Sequence, residues 1–297
     1  MTGEALALGA ALAYGLAGVL IVRGKATARG DNGAFLSVVM TALMSGLLWL
    51  GWGRVALADI AGPEGLRAVA IFALAGVMAN VFGRQSMYRA TGLIGAVRAG
   101  LLRRLTPLFA LPCAFVILGE VPDLQTVAGG AVVLVGVMIY MRAPAEKVSG
   151  KVSGAGPGLA LGILSALAYA LAYTFRGLGL EAAPDAALGT CVGALVGAGW
   201  ILVQAMAGRG MREGWQFITL DRSSRHLQAA LALTAGQLLQ FFALKYTTVL
   251  SVAVLGTLEV LFSALFAWLV IRSEPVAIVR LILATLVAMA GTALVML

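Results

Sequence analysis

Charged residues, cysteine and histidine are all scarce in this chain. Of its 297 residues, 11% are charged and 61% are hydrophobic, and the mean hydropathy is +0.98. An average soluble protein carries roughly a quarter charged residues, so this composition excludes a soluble globular domain. The two cysteines, Cys113 and Cys191, each fall inside an apolar stretch, which favours packing roles over a disulfide framework.

The shortage of histidine limits the chemistry open to the chain. The single histidine, His226, is predicted to lie in a loop, and there is neither a His-Glu-x-x-His motif nor an aspartate pair within an apolar run. A Gly-x-x-x-x-Gly-Lys-[Ser/Thr] loop is also missing, which argues against ATP-driven pumping by this chain alone. We therefore expect no cofactor, no metal ion and no enzymatic activity. A membrane-embedded enzyme and a non-transporting membrane scaffold are the alternative classes.

Long apolar runs are what the chain does contain. A helix needs about 20 mainly apolar residues to cross the hydrocarbon of a bilayer, and the sequence supplies about ten such runs. They predict an all-α polytopic membrane protein with about ten transmembrane helices. The runs lie near 4–23, 33–53, 66–84, 91–118, 123–141, 157–176, 186–207, 227–244, 248–271 and 276–296.

The net charge of +8 indicates lipid contacts and an orientation, not nucleic acid. No loop interleaves aromatic residues with a basic run, so we expect membrane lipids as partners and no nucleic acid. Thirteen Lys and Arg residues fall in one alternating set of loops, and four, including Arg176, in the other. By the positive-inside rule, this bias predicts that both termini face outward, in a protein of the bacterial inner (plasma) membrane.

The chain carries an internal duplication. Leu6-Ala7-Leu8-Gly9 recurs as Leu159-Ala160-Leu161-Gly162, and Arg23-Gly24 recurs as Arg176-Gly177, both at an offset of 153. Each copy holds about five apolar runs, and an odd number of crossings inverts the second copy relative to the first. We therefore predict a first five-helix repeat at 1–141, a flexible glycine-rich linker at 142–156 and an inverted five-helix repeat at 157–297.

Motifs repeated at the end of each half resemble a known transporter family. The first half has Tyr88-Arg89-Ala90-Thr91, Leu105-Thr106-Pro107-Leu108-Phe109 and Gly119-Glu120-Val121-Pro122. The second has Ala243-Leu244-Lys245-Tyr246-Thr247, Leu258-Glu259-Val260-Leu261-Phe262 and Ser273-Glu274-Pro275. This pattern is similar to the drug/metabolite transporter superfamily, specifically its EamA-type ten-helix exporters. Among these, the amino-acid exporters of the YddG group are the nearest comparison. The resemblance implies export of small metabolites, with both termini in the cytoplasm, the reverse of the charge-based orientation.

Three ionisable side chains near the middle of apolar runs are the leading candidates for substrate binding. An ionisable group at the centre of a bilayer costs about 2.5–3.5 kcal/mol on insertion scales, so each one needs a reason. Glu259 lies in the ninth run, and Arg103 and Arg104 lie in the equivalent fourth run. We predict that they approach one another, and that Glu259 and one of the two arginines line a central polar cavity and meet the charged ends of a zwitterion. An ion pair that only locks two helices is the alternative.

Polar and aromatic side chains at matched depths complete the predicted site. Asn80 and Gln240 occupy equivalent places in the third and eighth runs, and Tyr14, Tyr169 and Tyr173 lie in the first and sixth. Amides at this depth either bind substrate or hold helices together, and the tyrosines form either an aromatic wall or ordinary core. Pro107 is predicted to kink the fourth helix by removing a hydrogen bond to the carbonyl of Arg103.

These features predict a secondary transporter that exports small metabolites by alternating access around a cavity at the midplane. Amino acids, aromatic or otherwise apolar, are the expected small-molecule substrates, with efflux of drugs or toxic compounds as the nearest variant. The sequence leaves open proton coupling or facilitated diffusion, and a monomer or a homodimer.

Overall fold

The computed structural model describes residues 2–94, 96–141, 155–271 and 278–296, and in these ranges the chain is helical without a strand. The first half contains α1 (Thr2–Lys25), α2 (Ala34–Trp52), α3 (Leu57–Ile60), α4 (Pro63–Val77), a π-helical segment (Met78–Arg84), α5 (Gln85–Ile94), α6 (Ala96–Arg103), α7 (Thr106–Leu118) and α8 (Leu124–Met141). The second contains α9 (Ala155–Ala182), α10 (Ala186–Arg209), α11 (Met211–Thr219), α12 (Ser224–Leu244), α13 (Val249–Gly256), α14 (Glu259–Phe266), a π-helical segment (Ala267–Ile271) and α15 (Ile278–Met296).

The helix lengths confirm an all-helical polytopic membrane protein. Seven helical stretches of the described chain are long and apolar enough to cross a membrane, and three shorter apolar helices accompany them. The short ones are Thr106–Leu118, Leu124–Ile139 and Leu281–Met296. The count of ten transmembrane helices stays a prediction. The predicted linker falls mainly on 142–154, outside the described residues, and α9 already begins at Ala155.

Large apolar side chains cover the outer surface, as a lipid environment requires. On α2, for example, Leu43, Leu47 and Leu50 are each more than half exposed. In water such a surface would be unfavourable, but lipid tails are as apolar as leucine. The hydrophobic effect therefore does not hold these helices together. Close packing does: a Cβ added at Gly129 of α8 would lie 2.7 Å from the carbonyl oxygen of Gly291 in α15.

Helices from the two halves pack against each other in a reciprocal pattern. Helix α1 packs on α12, and its counterpart α9 packs on α4 and α5; α2 pairs with its own counterpart α10, and α8 with α15. Gly3 and Gly24, near the two ends of α1, contact Thr247 and His226 at opposite ends of α12, so these helices are antiparallel. Gly158 of α9 likewise contacts Ile94, whereas Gly179 contacts Phe72.

Equivalent helices of the two halves run in opposite directions. Helix α1 ends at Lys25, just before α2 begins, whereas α9 ends just before Asp185. The Asp185 carboxylate accepts a hydrogen bond of 2.7 Å from the backbone N–H of Arg54, beyond the far end of α2. Helices α1 and α9 therefore end on opposite faces of the bundle, the relation that an inverted duplication requires.

Two predicted helices are broken, and Pro107 lies directly after one of the breaks. The run predicted at 91–118 is interrupted between α6 and α7, at 104–105, and the run at 248–271 between α13 and α14, at 257–258. Pro107 lies in the first turn of α7, where a missing N–H costs no helical hydrogen bond. The run is therefore two helices and not one kinked helix, and the role of Pro107 at this point stays a prediction. The second break has no proline, yet it occurs at the position 153 residues further on.

Hydroxyl side chains donate to backbone carbonyls next to both breaks. At the first break the hydroxyl of Thr106 donates to the carbonyl of Arg103 at 2.7 Å. At the second, the hydroxyl of Thr257 donates to the carbonyl of Val254 at 2.6 Å. Helix ends inside a membrane need such partners because water is not at hand to provide them.

Candidate functional site

A cavity of about 400 Å³ lies between the two halves, next to both helix breaks. Its volume is within the range of sites for small molecules. All eight polar side chains singled out as substrate-binding candidates line it. They are Tyr14, Asn80, Arg103, Arg104, Tyr169, Tyr173, Gln240 and Glu259. Pro107 is not among the lining residues, whereas its neighbour Thr106 is.

The expected approach of Arg103 and Glu259 takes the form of a loose ion pair. Nη2 of Arg103 lies 3.8 Å from Oε2 of Glu259, and both side chains keep some exposure to the cavity. The Arg103 guanidinium also lies 4.9 Å from the ring centre of Tyr169, within range of a cation–π contact. Arg103 ends α6 and Glu259 begins α14, so the helix breaks present both charges to the same space.

Arg104 reaches from one break to the other. Its Nη1 donates to the backbone carbonyl of Thr257 at 3.4 Å, a residue 153 positions further along the chain. That separation equals the repeat offset, so equivalent points of the two halves meet here. The Nε atom of Arg104 is buried and has no hydrogen-bond partner among the described residues. Arg104 is therefore incompletely satisfied.

Gln240 is the centre of a polar cluster on the cavity wall. Its Oε1 accepts a hydrogen bond of 2.7 Å from Nη1 of Arg176 and a longer one of 3.4 Å from the hydroxyl of Tyr14. Its Nε2 donates to the hydroxyl of Tyr173 at 3.2 Å. Gln240 is 4% exposed. Two tyrosines expected to form an aromatic wall are thus joined through one amide.

The sequence interpretation missed Arg176, which it assigned to a loop. Arg176 lies inside α9, which continues to Ala182, and it is 6% exposed. Its guanidinium lies 4.6 Å from the ring centre of Phe241 and 5.6 Å from that of Tyr173. The signal available in the sequence was the apolar segment Leu178–Leu180 beyond it, which extends the helix past the arginine. The assignment of Arg176 to a loop is wrong.

Asn80 both lines the cavity and holds two helices together. It lies in the π-helical segment Met78–Arg84, and such segments often occur at functional sites. Its Nδ2 donates to the carbonyl of Gly76 at 3.0 Å and to that of Gly193 in α10 at 3.4 Å. The side chain also packs on Gly197. Its amide donors therefore serve helix packing, which the sequence could not separate from substrate binding.

The cavity is open toward one face of the bundle and closed toward the other. It extends to the α1–α2 loop, where Asp31, Asn32 and Gly33 line it, and to Tyr88 and Thr91 near the end of α5. We call this end the mouth. Toward the opposite face lies a core cluster containing Phe72, Phe241, Leu180, Leu244 and Val249, which we call the floor. Beyond it, Glu4 bonds Thr247, and Glu120 accepts from the N–H of Val249 at 3.0 Å.

Hydrogen bonds to one carboxylate hold the α1–α2 loop at the mouth. Asp221, between α11 and α12, accepts from the backbone N–H groups of Arg29, Gly30 and Asn32 at 2.8–2.9 Å. Burial acts to raise the pKa of Asp221, but these three donors and nearby His226 hold that pKa below its usual range. His226, expected in a loop, instead lies in the first turn of α12. One of its ring nitrogens lies 3.2 Å from Oδ1 of Asn32 and the other 3.0 Å from the hydroxyl of Ser223.

The charge balance of the cavity is positive. Four arginines line it (Arg84, Arg103, Arg104 and Arg176), against two carboxylates, Asp31 and Glu259. Glu259 faces Arg103, and Asp31 accepts from the N–H groups of Gly33 and Phe35 at the start of α2. Burial nevertheless raises the pKa of Asp31 above its usual range. In the part of the chain that the structure describes, no three His, Cys, Asp or Glu residues are grouped to hold a metal ion.

Comparison with known proteins identifies the first half of the chain. Residues 1–142 match the family described as the EamA-like transporter family. On this similarity, we call residues 1–142 the EamA-like domain. The similarity points to membrane transporters of the drug/metabolite type, which the repeated motifs also resemble. The EamA-like domain supplies α1 to α8, hence Tyr14, Asn80, Arg103 and Arg104 of the cavity.

One solved structure extends the fold comparison beyond the EamA-like domain. It is titled only as a crystal structure of a protein. It matches with a TM-score of 0.73 at 16% sequence identity, covering 98% of this chain and 94% of that one. At this identity the likeness concerns the fold alone, which both halves share with that structure. No curated protein matches the chain.

Proposed function

We propose that the protein is a secondary transporter that exports small metabolites, with amino acids as the favoured substrates, by alternating access. The EamA-like domain supports transport as the class of function. The observation that carries the proposal is the cavity between two broken helices, with Arg103, Arg104 and Glu259 at the breaks. Discontinuous helices at the interface of inverted repeats are how many transporters build a substrate site.

The cavity chemistry favours a small amphipathic molecule. A volume of about 400 Å³ fits an amino acid with an apolar or aromatic side chain, and Tyr14, Tyr169 and Tyr173 offer it aromatic surface. Glu259 is available to an ammonium group and the arginines to a carboxylate. Alternating access requires the mouth to close and the floor to open, and the halves that would rock are residues 1–141 and 157–297.

Flux through liposomes that contain only this protein tests the proposal. Vesicles that contain the protein and are loaded with radiolabelled amino acids should exchange them faster than loaded vesicles without the protein. The exchange rate should saturate as the amino-acid concentration rises. Collapse of a proton gradient during the same assay distinguishes proton coupling from facilitated diffusion. A membrane scaffold would show no substrate-dependent flux, and a multidrug exporter would move organic cations and dyes in preference to amino acids.

A further inference from the structure

Arg176 is a buried cation that no carboxylate neutralises. It is 6% exposed, and no Asp or Glu oxygen lies within 4.0 Å of its guanidinium among the described residues. Placing an arginine at such a depth costs several kcal/mol unless a partner compensates for the lost hydration. The amide of Gln240 and the faces of Phe241 and Tyr173 compensate in part, since they offer partial negative charge. None of them carries a full negative charge.

The guanidinium is fixed in place but not saturated. An arginine has five N–H donors in a planar fork, and one bond, from Nη1 to Gln240 at 2.7 Å, is made to a side chain of the described part. Gln240 is in turn held by Tyr14 and Tyr173. Arg176 lines the cavity, so its remaining donors are open to a molecule inside it. A preorganised fork of this kind matches the two oxygens of a carboxylate.

A second cation in the same cavity is also incompletely bonded. Nε of Arg104 is buried without a partner, and its Nη1 makes only a long bond of 3.4 Å to the Thr257 carbonyl. The acids of the cavity are already engaged, Glu259 by Arg103 and Asp31 by the start of α2. An entering anion therefore gains unpaired cations. An entering ammonium group must compete with Arg103 for the carboxylate of Glu259.

We propose that the transported molecule carries a carboxylate, and that Arg176, oriented by Gln240, binds it, with Arg104 as the second cation of the cavity. This inference rests on the proposed transport function and narrows its substrate class. A carboxylate is required, whereas an amino group is dispensable. Small apolar monocarboxylic acids then belong to the substrate class together with amino acids.

Four related probes separate the two charges of an amino acid. They are L-phenylalanine, its amide, 3-phenylpropionate, which lacks the amine, and 2-phenylethylamine, which lacks the carboxylate. A ligand that binds the folded state raises the midpoint of thermal unfolding. With the purified full chain, we expect both carboxylates to raise that midpoint, and the amide and the amine to bind at least tenfold more weakly. Equal stabilisation by the amide, or none by either carboxylate, overturns the inference.

Two variants and one control assign the effect to Arg176. Arg176→Gln should abolish the response to both carboxylates. Gln240→Glu, which is nearly isosteric and places a permanent negative partner beside Arg176, should do the same even if Arg176→Gln fails to fold. Arg67→Gln, at an outer position whose side chain is 66% exposed, should respond like the wild type. A full carboxylate response in Gln240→Glu contradicts the assignment.

Flux measured in parallel separates this inference from the proposed function. Stabilisation by carboxylates without flux of any probe would reject transport of these molecules and leave the anion site standing. Flux of the amide and the amine as fast as that of the acids would support a transporter and overturn the carboxylate requirement. Stabilisation by inorganic phosphate but by neither carboxylate would assign the site to another anion, and would also overturn the inference.

Discussion

At the scale of single residues, we propose that the charges at the helix breaks determine what the cavity binds. Arg103 and Glu259 are close enough to attract each other, yet at 3.8 Å and partly exposed they are not a tightly buried lock. Pairs with this exposure contribute little to stability, typically up to about 1 kcal/mol. Their position in the cavity therefore matters more for the substrate than for the fold.

Glu259→Gln tests this view of the ion pair. This variant leaves the ammonium group of a bound amino acid without a counter-charge. We expect amino-acid flux to fall by about tenfold or more, since one tenfold step is worth only about 1.4 kcal/mol, while the unfolding midpoint changes little. Flux assays and thermal unfolding of the same preparation measure both. The exchange Arg103→Glu with Glu259→Arg is the control. A purely structural pair predicts that it restores flux, whereas a substrate-binding pair predicts stability without flux.

Asp221 makes the mouth sensitive to acid. Because three backbone donors hold the pKa of Asp221 below its usual range, its stabilisation is present above the unfolded-state pKa and is lost as the pH falls through the lower folded-state value. We expect Asp221→Asn to lower the free energy of unfolding at pH 7 by about 1–3 kcal/mol. We also expect it to flatten the acid limb of the wild-type stability curve below about pH 5. Unfolding measured from pH 3 to pH 8 checks both. An acid limb of equal slope in Asp221→Asn would assign that limb to other carboxylates.

At the scale of elements, close contacts between helices replace the hydrophobic effect. Helices α8 and α15 approach so closely that a Cβ at Gly129 would fall within 2.8 Å of the backbone N of Val295. Small residues make such contacts possible, and van der Waals packing then holds the pair together. A larger side chain at this position must push the helices apart.

Gly129→Ala should therefore destabilise the protein, although alanine favours helix. Overpacking typically costs about 1–3 kcal/mol, which exceeds the gain of up to about 1 kcal/mol that alanine brings over glycine in a helix. Gly208→Ala is the matched control, since Gly208 is helical in α10 and a Cβ there meets no atom within 4 Å. We expect that variant to be neutral or slightly stabilised in thermal unfolding. The idea fails if both variants behave alike.

At the helix break before Pro107, by contrast, we predict that a substitution has little effect on transport. Because Pro107 lies in the first turn of α7 and the second break lacks a proline, we expect the break to persist without it. We expect Pro107→Ala to change flux less than about threefold and to lower stability by about 1–2 kcal/mol, since it removes ring carbons that are fully buried. Steady-state flux and unfolding measure this outcome. A loss of flux similar to that of Glu259→Gln would show that the proline shapes the cavity.

At the scale of the whole molecule, the cavity of this structure opens toward one face of the bundle. Loops on the mouth side, which include the α1–α2 and α10–α12 connections, carry the larger set of basic residues. The positive-inside rule therefore predicts that the mouth faces the cytoplasm, whereas the family resemblance implies the reverse. The beginning of α1 and the end of α15 lie on the opposite side, the floor side. Gly3 of α1 contacts Thr247 there, and Val295 of α15 contacts Gly129.

Thiol labelling decides both the orientation and the movement. In a chain whose own cysteines are replaced by serine, Thr91→Cys reports the mouth and Val249→Cys the floor. Without substrate, we expect an impermeant thiol reagent to label position 91 from the cytoplasmic face only, and to leave position 249 unlabelled because Val249 is 1% exposed. During turnover, position 249 should become reactive from the outer face. Turnover without any gain in that reactivity would argue against opening of the floor, and labelling of position 91 from outside would reverse the orientation.

The membrane class, the helical content and the repeat offset of 153 follow from the sequence by itself. These are properties of local composition and length: a long apolar run can satisfy its backbone in lipid only as a helix. Arg103, Arg104 and Glu259 could be singled out for the same reason, because a charge inside an apolar run is costly wherever the helix packs. The odd number of apolar runs in each copy also predicted that equivalent helices would run in opposite directions.

Other features were decided by tertiary structure. Whether Arg176 is a loop residue or a buried cation depends on α9 continuing to Ala182 and on Gln240 of α12 lying beside it. The two helix breaks, the closed floor and the double use of Asn80 also depend on neighbours distant in sequence. Burial and hydrogen bonding are properties of pairs of helices, and no single apolar run specifies which partner it meets. The sequence therefore determines where along a helix a charge lies, whereas the packing of the neighbouring helices determines which partner the charge faces.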